Sequence, residues 1–118
     1  MVKTAKHRIA FLERFRLNDG NANFVFEGYY TSTAEILHAI LLSIGFEVRN
    51  HICLCFYLRD VLGQDALLRA FDDCRYKRNG LVYYGEEMDF AVAEQAVGAI
   101  RRLAGSLFDL YEMKHSSL

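Results

Sequence analysis

An all-α fold is predicted, an up-down antiparallel four-helix bundle with one additional short helix, five helices in all. Three observations predict it. Apolar residues recur every three or four positions through most of the chain, proline is absent, and no segment alternates apolar and polar residues as a half-buried strand does. The 118 residues form one domain, 1–118, long enough to bury a core without disulfide or metal staples.

Each element follows from its pattern. From about Thr4 to Leu17, Ile9, Leu12 and Phe15 recur on one side, while Arg8, Arg14 and Arg16 fall largely elsewhere. Asn18-Asp19-Gly20-Asn21 ends this first helix. From about Asn23 to Ile44, Phe26, Tyr29, Tyr30, Thr33, Ile36, Leu37, Ile40, Leu41 and Ile44 cover much of a second helix, so it is expected to be central and most buried. Gly45 caps its C-terminus, and Asn50 N-caps a shorter helix to about Leu62, with Leu54, Leu58 and Val61 as its stripe. Gly63 closes that element. The next helix begins near Asp65, passes through Leu67, Leu68, Phe71 and Cys74, and is expected to stop at Asn79-Gly80, followed by a loop to Asp89. Asp89 N-caps a long last helix, where Ala93, Ala96, Val97, Ile100, Leu103, Ala104, Leu107 and Phe108 make the cleanest stripe in the chain.

Composition excludes several classes of function. A formal net charge of -1 lacks the basic excess needed to coat a polyanion or an anionic membrane, so any such contact must be local. The N-terminal segment has positive charge but no apolar core of a signal peptide, and no stretch approaches the roughly 18 apolar residues of a membrane span, which points to a cytoplasmic protein. Cys53, Cys55 and Cys74 are an odd number without paired spacing and read as buried thiols in a reducing compartment. No metal-ligand spacing, phosphate-binding glycine loop or nucleophile elbow is present, and neither a metal nor a cofactor is expected.

The anomaly lies late in the helix that begins near Asp65. Leu68 and Phe71 set a stripe whose next members are Arg75 and Arg78, so apolar gives way to guanidinium. Arg75 with Arg78 is an i, i+3 pair and Arg75 with Asn79 an i, i+4 pair, which places three polar groups on one side of the last turns. Guanidinium forks and an amide suit phosphate oxygens, and Tyr83 and Tyr84, on a glycine-flanked loop, offer faces for a base. A purely structural account competes. Cations are favoured at a helix C-terminus, Asn-Gly is a usual helix stop, and loop tyrosines commonly pack. A carboxylate such as Asp72 or Glu86 consuming both arginines would favour this second account. Among the histidines, His38 reads as a core or interface group, His51 as a helix cap or a cleft residue, and His7 and His115 as solvent groups.

The run Arg75-Tyr76-Lys77-Arg78-Asn79-Gly80-Leu81-Val82-Tyr83-Tyr84-Gly85, placed before a long last helix, resembles the motif region of HEPN domains (higher eukaryotes and prokaryotes nucleotide-binding). Tyr29-Tyr30, continuing to His38-Ala39-Ile40-Leu41-Leu42 and Gly45-Phe46, is similar to the Tyr-Tyr and Ala-Leu-Leu-Gly pattern of a prokaryotic branch of that family, and His51 matches a histidine often found there. The resemblance spans roughly residues 5 to 108. It implies a homodimer whose Arg-Asn segments line a shared cleft, RNA or a nucleotide as ligand, and in many members metal-independent ribonuclease activity. It also implies a minimal nucleotidyltransferase as the antitoxin partner of a toxin-like protein. Arg78 takes the motif arginine, Asn79 the asparagine, and Tyr83 the place of the catalytic histidine, so Arg78 and Tyr83 are the candidate catalytic pair. Arg75, Arg78, Asn79, Tyr83, Tyr84 and His51 are the candidate binding residues. The tyrosine is a departure from the pattern. A phenol with a pKa near 10 is ionised in only about one molecule per thousand at pH 7, against an imidazole that exchanges protons freely there, so ribonuclease activity is expected to be weak or absent. Tyr83 or Tyr84 is alternatively a phenolic acceptor for nucleotidyl transfer. A non-catalytic helical interaction or oligomerisation module is the competing reading.

Overall fold

The computed structural model describes residues 2–18, 20–43, 45, 59–60, 63–83 and 90–116, with the backbone alone of 81–83 and 114–116. Four helices account for most of them: α1 (Val2–Leu12), α2 (Ala22–Ser43), α3 (Asp65–Tyr83) and α4 (Phe90–Ser116). Among the described residues there is no strand, and the helices pack as a bundle. The short helix expected over 50–62 lies outside the described residues, apart from helical Arg59 and Asp60. The expected closing glycine is seen: Gly63, at φ +66°, donates its N–H to the Arg59 carbonyl at 3.2 Å.

α2 is the core, as its broad apolar face requires. Phe26, Tyr29, Tyr30, Ile36, Leu37, Ile40 and Leu41 are all essentially inaccessible to solvent, and each such burial contributes roughly 1.5–3 kcal/mol of transfer free energy. Its buried serine and threonine are satisfied within the helix, Ser32 Oγ donating to the Gly28 carbonyl at 2.9 Å and Thr33 Oγ1 to that of Tyr29 at 2.7 Å. The helix starts where Asn18 and Asn21 organise its first turn. Asn18 Oδ1 accepts from the Gly20 and Asn21 amides at 2.8 and 3.0 Å, fixing the turn that leads into the helix, and its carbonyl accepts from the first helical amide, that of Ala22, at 3.0 Å. It stops at Gly45, whose φ of +91° and N–H bond to the Leu42 carbonyl make the expected left-handed cap.

α4 packs chiefly against α2 through Ala93, Ala96, Val97, Ile100, Leu103, Ala104 and Leu107, the stripe read from the sequence. α1 packs on α2 in reverse order. The Leu12 side chain occupies the space beside Gly28, where an added Cβ would stand 2.8 Å from a Leu12 methyl, while Arg8 reaches Ser32 and Glu35 further along α2. A larger residue at position 28 would displace the Leu12 side chain from this contact.

Two boundaries differ from expectation. α1 ends at Leu12 and not near Leu17, because the chain tightens there: Arg14 and Phe15 bond the carbonyls three residues back, at 3.2 Å each. α3 does not stop at Asn79-Gly80 but runs on to Tyr83. A glycine stop works by entering the left-handed region, and among the described residues only Gly45 and Gly63 do so. Gly80 keeps helical geometry, and Leu81-Val82 follow it at positions that prolong the apolar period of Phe71 and Cys74. The inherent cost of a helical glycine is only about 1 kcal/mol, too small to end a helix with that continuation.

Candidate functional site

α3 docks through two inaccessible side chains, Phe71 and Cys74, and then its buried stripe turns polar. Arg75 and Arg78 occupy the next positions of that stripe, with side chains 23% and 22% exposed, so both guanidinium groups are half-buried and not splayed into bulk water.

The Arg78 guanidinium lies over the Tyr30 ring, 5.6 Å from its centroid, and Tyr30 stacks in turn on Phe71 at 5.6 Å and 20°. Phe71, Tyr30 and Arg78 thus form one column between α2 and α3. A cation over a partly desolvated aromatic face gains about 0.5–2 kcal/mol, which fixes where the guanidinium sits. Arg78 Nε also donates to Glu27 Oε1 at 3.2 Å. Among the described residues the second carboxylate oxygen, Glu27 Oε2, is buried without a hydrogen-bond partner, and the same holds for Asn23 Oδ1 and, further along α2, for Glu35 Oε2. Asn23 and Glu27 are i, i+4 neighbours on α2, so a fixed cation and two unsatisfied acceptors belong to one locality. Each unpartnered buried acceptor costs about 1–3 kcal/mol, and that cost falls if a donor arrives.

Arg75 behaves differently. Its Nε and Nη2 donate to Asp72 Oδ1 at 3.0 and 2.8 Å, one turn back on the same helix, and Asp72 is 54% exposed. An exposed pair of this kind contributes a few tenths of a kcal/mol and is easily exchanged for another anion. Lys77 pairs likewise with Asp73 at 2.9 Å. Asp72 therefore does hold Arg75, as the structural account of the sequence anticipated, but weakly. Arg78 is held by Glu27 instead.

Extension of α3 to Tyr83 also alters the expected convergence. Tyr83 belongs to the end of α3 and not to a loop. It is five positions from Arg78, about 140° around a helix, whereas positions 79 and 83 are i, i+4 and fall on the same side as position 76. Arg78 is on the side toward α2. The structure thus brings Arg78 together with Glu27 and Tyr30, and ranges Asn79 with positions 76 and 83. Tyr84, Glu86 and His51 lie outside the described residues. His38 is half-buried, and burial holds its pKa below the ordinary imidazole value. Cys74 is a free thiol that burial, reinforced by the Asp73 carboxylate, pushes up to about 11, so it is inert at neutral pH. Cys53 and Cys55 lie outside the described residues.

Sequence reasoning missed Glu27, Asn23 and the role of Tyr30 as a platform. A signal existed for Glu27. It and Glu35 are the two carboxylates of α2, the most buried helix, and both are matched by an arginine of a neighbouring helix, Glu35 by Arg8 at 3.0 Å. Among the described residues no group of three or more His, Cys, Asp or Glu side chains could hold a metal ion, and no helix is long and apolar enough to cross a membrane. Comparison with models of protein families, with curated proteins and with solved structures yields no match.

Proposed function

We propose that this chain is a HEPN-type helical domain that binds RNA or a nucleotide at the end of α3, with Arg78 as the central contact. The observation that carries this reading is the Arg78 column: a half-buried guanidinium positioned on Tyr30, next to two buried acceptors that have no partner among the described residues. A phosphate suits the guanidinium, and the amino or imino donors of a base suit Glu27 Oε2 and Asn23 Oδ1. Arg75, exchanging its exposed Asp72 for phosphate, adds a second cation. Asn79, Tyr83, Tyr84 and His51 complete the contact set on the family pattern. Binding without cleavage is the expected activity, since Tyr83 stands where a proton-exchanging histidine is needed. On the same pattern the protein acts as a homodimer and as the toxin-like partner of a nucleotidyltransferase.

One observation favours the second reading, a non-catalytic interaction module: both arginines already hold carboxylates, Asp72 and Glu27. Magnitude argues against letting it decide, because the Arg75 pair is an exposed intrahelical one.

Substitution of Arg78 separates the readings. Removing the guanidinium outright leaves Glu27 uncompensated, so Arg78→Ala is expected to destabilise by about 1–2 kcal/mol as well as to abolish binding. Arg78→Lys is the cleaner variant, retaining the charge and losing the planar fork. Titrated with a fluorescent RNA or nucleotide, Arg78→Lys and the double variant Arg78→Ala/Glu27→Gln should each lose about tenfold or more in affinity, with melting of the lysine variant within a few degrees of the parent. Unchanged affinity in both variants would refute the site.

A further inference from the structure

On the side of α2 that meets α3, Asn23 and Glu27 leave over one atom each, and both atoms are of the same kind. Glu27 Oε2 and Asn23 Oδ1 accept hydrogen bonds, and among the described residues neither receives one. Paired with Arg78, Glu27 is a carboxylate, which can only accept and has about four lone-pair sites, of which Arg78 Nε takes one at Oε1. Four residues apart on one helix, the two side chains lie on the same side of α2, with Cβ atoms about 5–6 Å apart. Both acceptors are covered, but the Glu27 side chain keeps 34% of its surface open and Asn23 is only half-buried. The terminal torsions of Glu and Asn are broad, so Oε2 and Oδ1 turn toward the open side at little cost.

A third acceptor, Glu35 Oε2, is left over further along α2 and serves as an internal comparison. Glu35 stands eight residues and about 12 Å beyond Glu27 and meets α1, where the Arg8 that holds its Oε1 at 3.0 Å also donates to Ser32 Oγ at 3.1 Å. That arginine is shared between two acceptors of α2. Among the described residues, leftover acceptors come as an i, i+4 pair only at Asn23 and Glu27, where the partner guanidinium is seated on an aromatic ring.

We infer that the α3 site selects guanine, with Glu27 and Asn23 as the residues that determine the base. This rests on the reading of the site as one for RNA or a nucleotide, and it names the base that the site takes. The four bases differ in what their Watson–Crick edges donate. Adenine and cytosine offer one amino group beside a ring nitrogen that accepts, and uracil one imino group between two carbonyls. Guanine alone offers two neighbouring donors, its N1 imino and N2 amino groups. Two acceptors therefore receive guanine in full, whereas adenine or cytosine sets a lone pair against one of them, which excludes those bases as the donors attract guanine. The phosphate of the same nucleotide goes to Arg78, so that guanidinium and carboxylate meet opposite ends of one ligand.

The test titrates the full chain with GMP, IMP and AMP by calorimetry, and with three fluorescein-labelled hexaribonucleotides by anisotropy, adenosine throughout except for one guanosine, inosine or adenosine. Inosine retains the N1 donor and lacks the N2 amino group. In whichever set binds, the guanine ligand should bind at least about tenfold more tightly than the adenine ligand, with the inosine ligand between them. Glu27→Gln should bring the guanine and adenine ligands within about twofold of each other, and Asn23→Ala, which leaves every charge in place, should lower the preference about threefold or more. Glu35→Gln should leave the preference intact. Should Glu27→Gln melt well below the parent, Asn23→Ala carries the test. Equal affinity of the parent for guanine and adenine ligands overturns this inference alone and leaves Arg78 as an anion contact. A preference that survives both Glu27→Gln and Asn23→Ala, or that falls equally in Glu35→Gln, makes the leftover acceptors structural and likewise overturns it. Binding of no probe by the parent overturns the reading of the α3 site and this one with it.

Discussion

α2 and α3 both pack into the bundle, yet they do so by different means. α2 buries a broad apolar face from Val25 to Leu41, about half of its circumference, and takes α1 and α4 on two sides. α3 buries Phe71 and Cys74, leaves Leu67, Leu68 and Ala70 partly covered, and completes its contact with Arg78 over Tyr30. One helix is held by area, the other by a few anchors and a cation. Local opening is cheapest where apolar contacts are few, so α3 is the element that can adjust to a ligand without loss of the core.

Truncations in the two helices measure that difference most directly. Tyr30→Ala removes a fully buried ring that also supports Phe71 and Arg78, and about 3–5 kcal/mol of stability should be lost in urea denaturation. Leu67→Ala, at a partly buried position of α3, should cost about 1–2 kcal/mol. Equal losses would mean that α3 is as central as α2, and the proposed adaptability of the site would fall.

The same contrast explains what was legible in the sequence. Stripes with a regular period, such as Ala93 to Leu107, announce their burial because every member repeats the same signal. The caps at Gly45 and Gly63 were legible too, since each glycine follows the last periodic residue. The arginines of α3 stood out as a break in a stripe, but their partners did not. Arg78 and Glu27 are 51 residues apart, and no local pattern ties them together. What α2 did carry was two carboxylates in a helix with little water around it, an arrangement that requires a cation from elsewhere. That rule, applied to Glu27 and Glu35, would have called for arginines on flanking helices.

A smaller effect tests the apolar side of α3. The folded Cys74 thiol ionises near 11 against an ordinary 9.0, so the folded state keeps a proton that the unfolded chain releases. Its contribution is complete below about pH 9 and is lost as pH rises toward 11. Urea midpoints followed from pH 8 to 11 should therefore fall more steeply for the parent than for Cys74→Ala, the other titrating groups being common to both. Parallel curves would show that Cys74 is open to solvent and that α3 is anchored by Phe71 alone.

The smallest expected change decides the geometry of the site. Three glycines form a series. Gly45, left-handed at φ +91°, should lose about 1 kcal/mol on replacement by alanine, whereas Gly105, helical with nothing within 4 Å of an added Cβ, should gain about 0.5–1 kcal/mol. Gly80→Ala is expected to follow Gly105, because α3 continues through it to Tyr83. If it follows Gly45 instead, α3 stops where Asn79-Gly80 spells a stop. Position 83 would then leave the helical register that places it about 140° from Arg78, and the Arg78–Tyr83 pairing of the family pattern would return as the geometry to test.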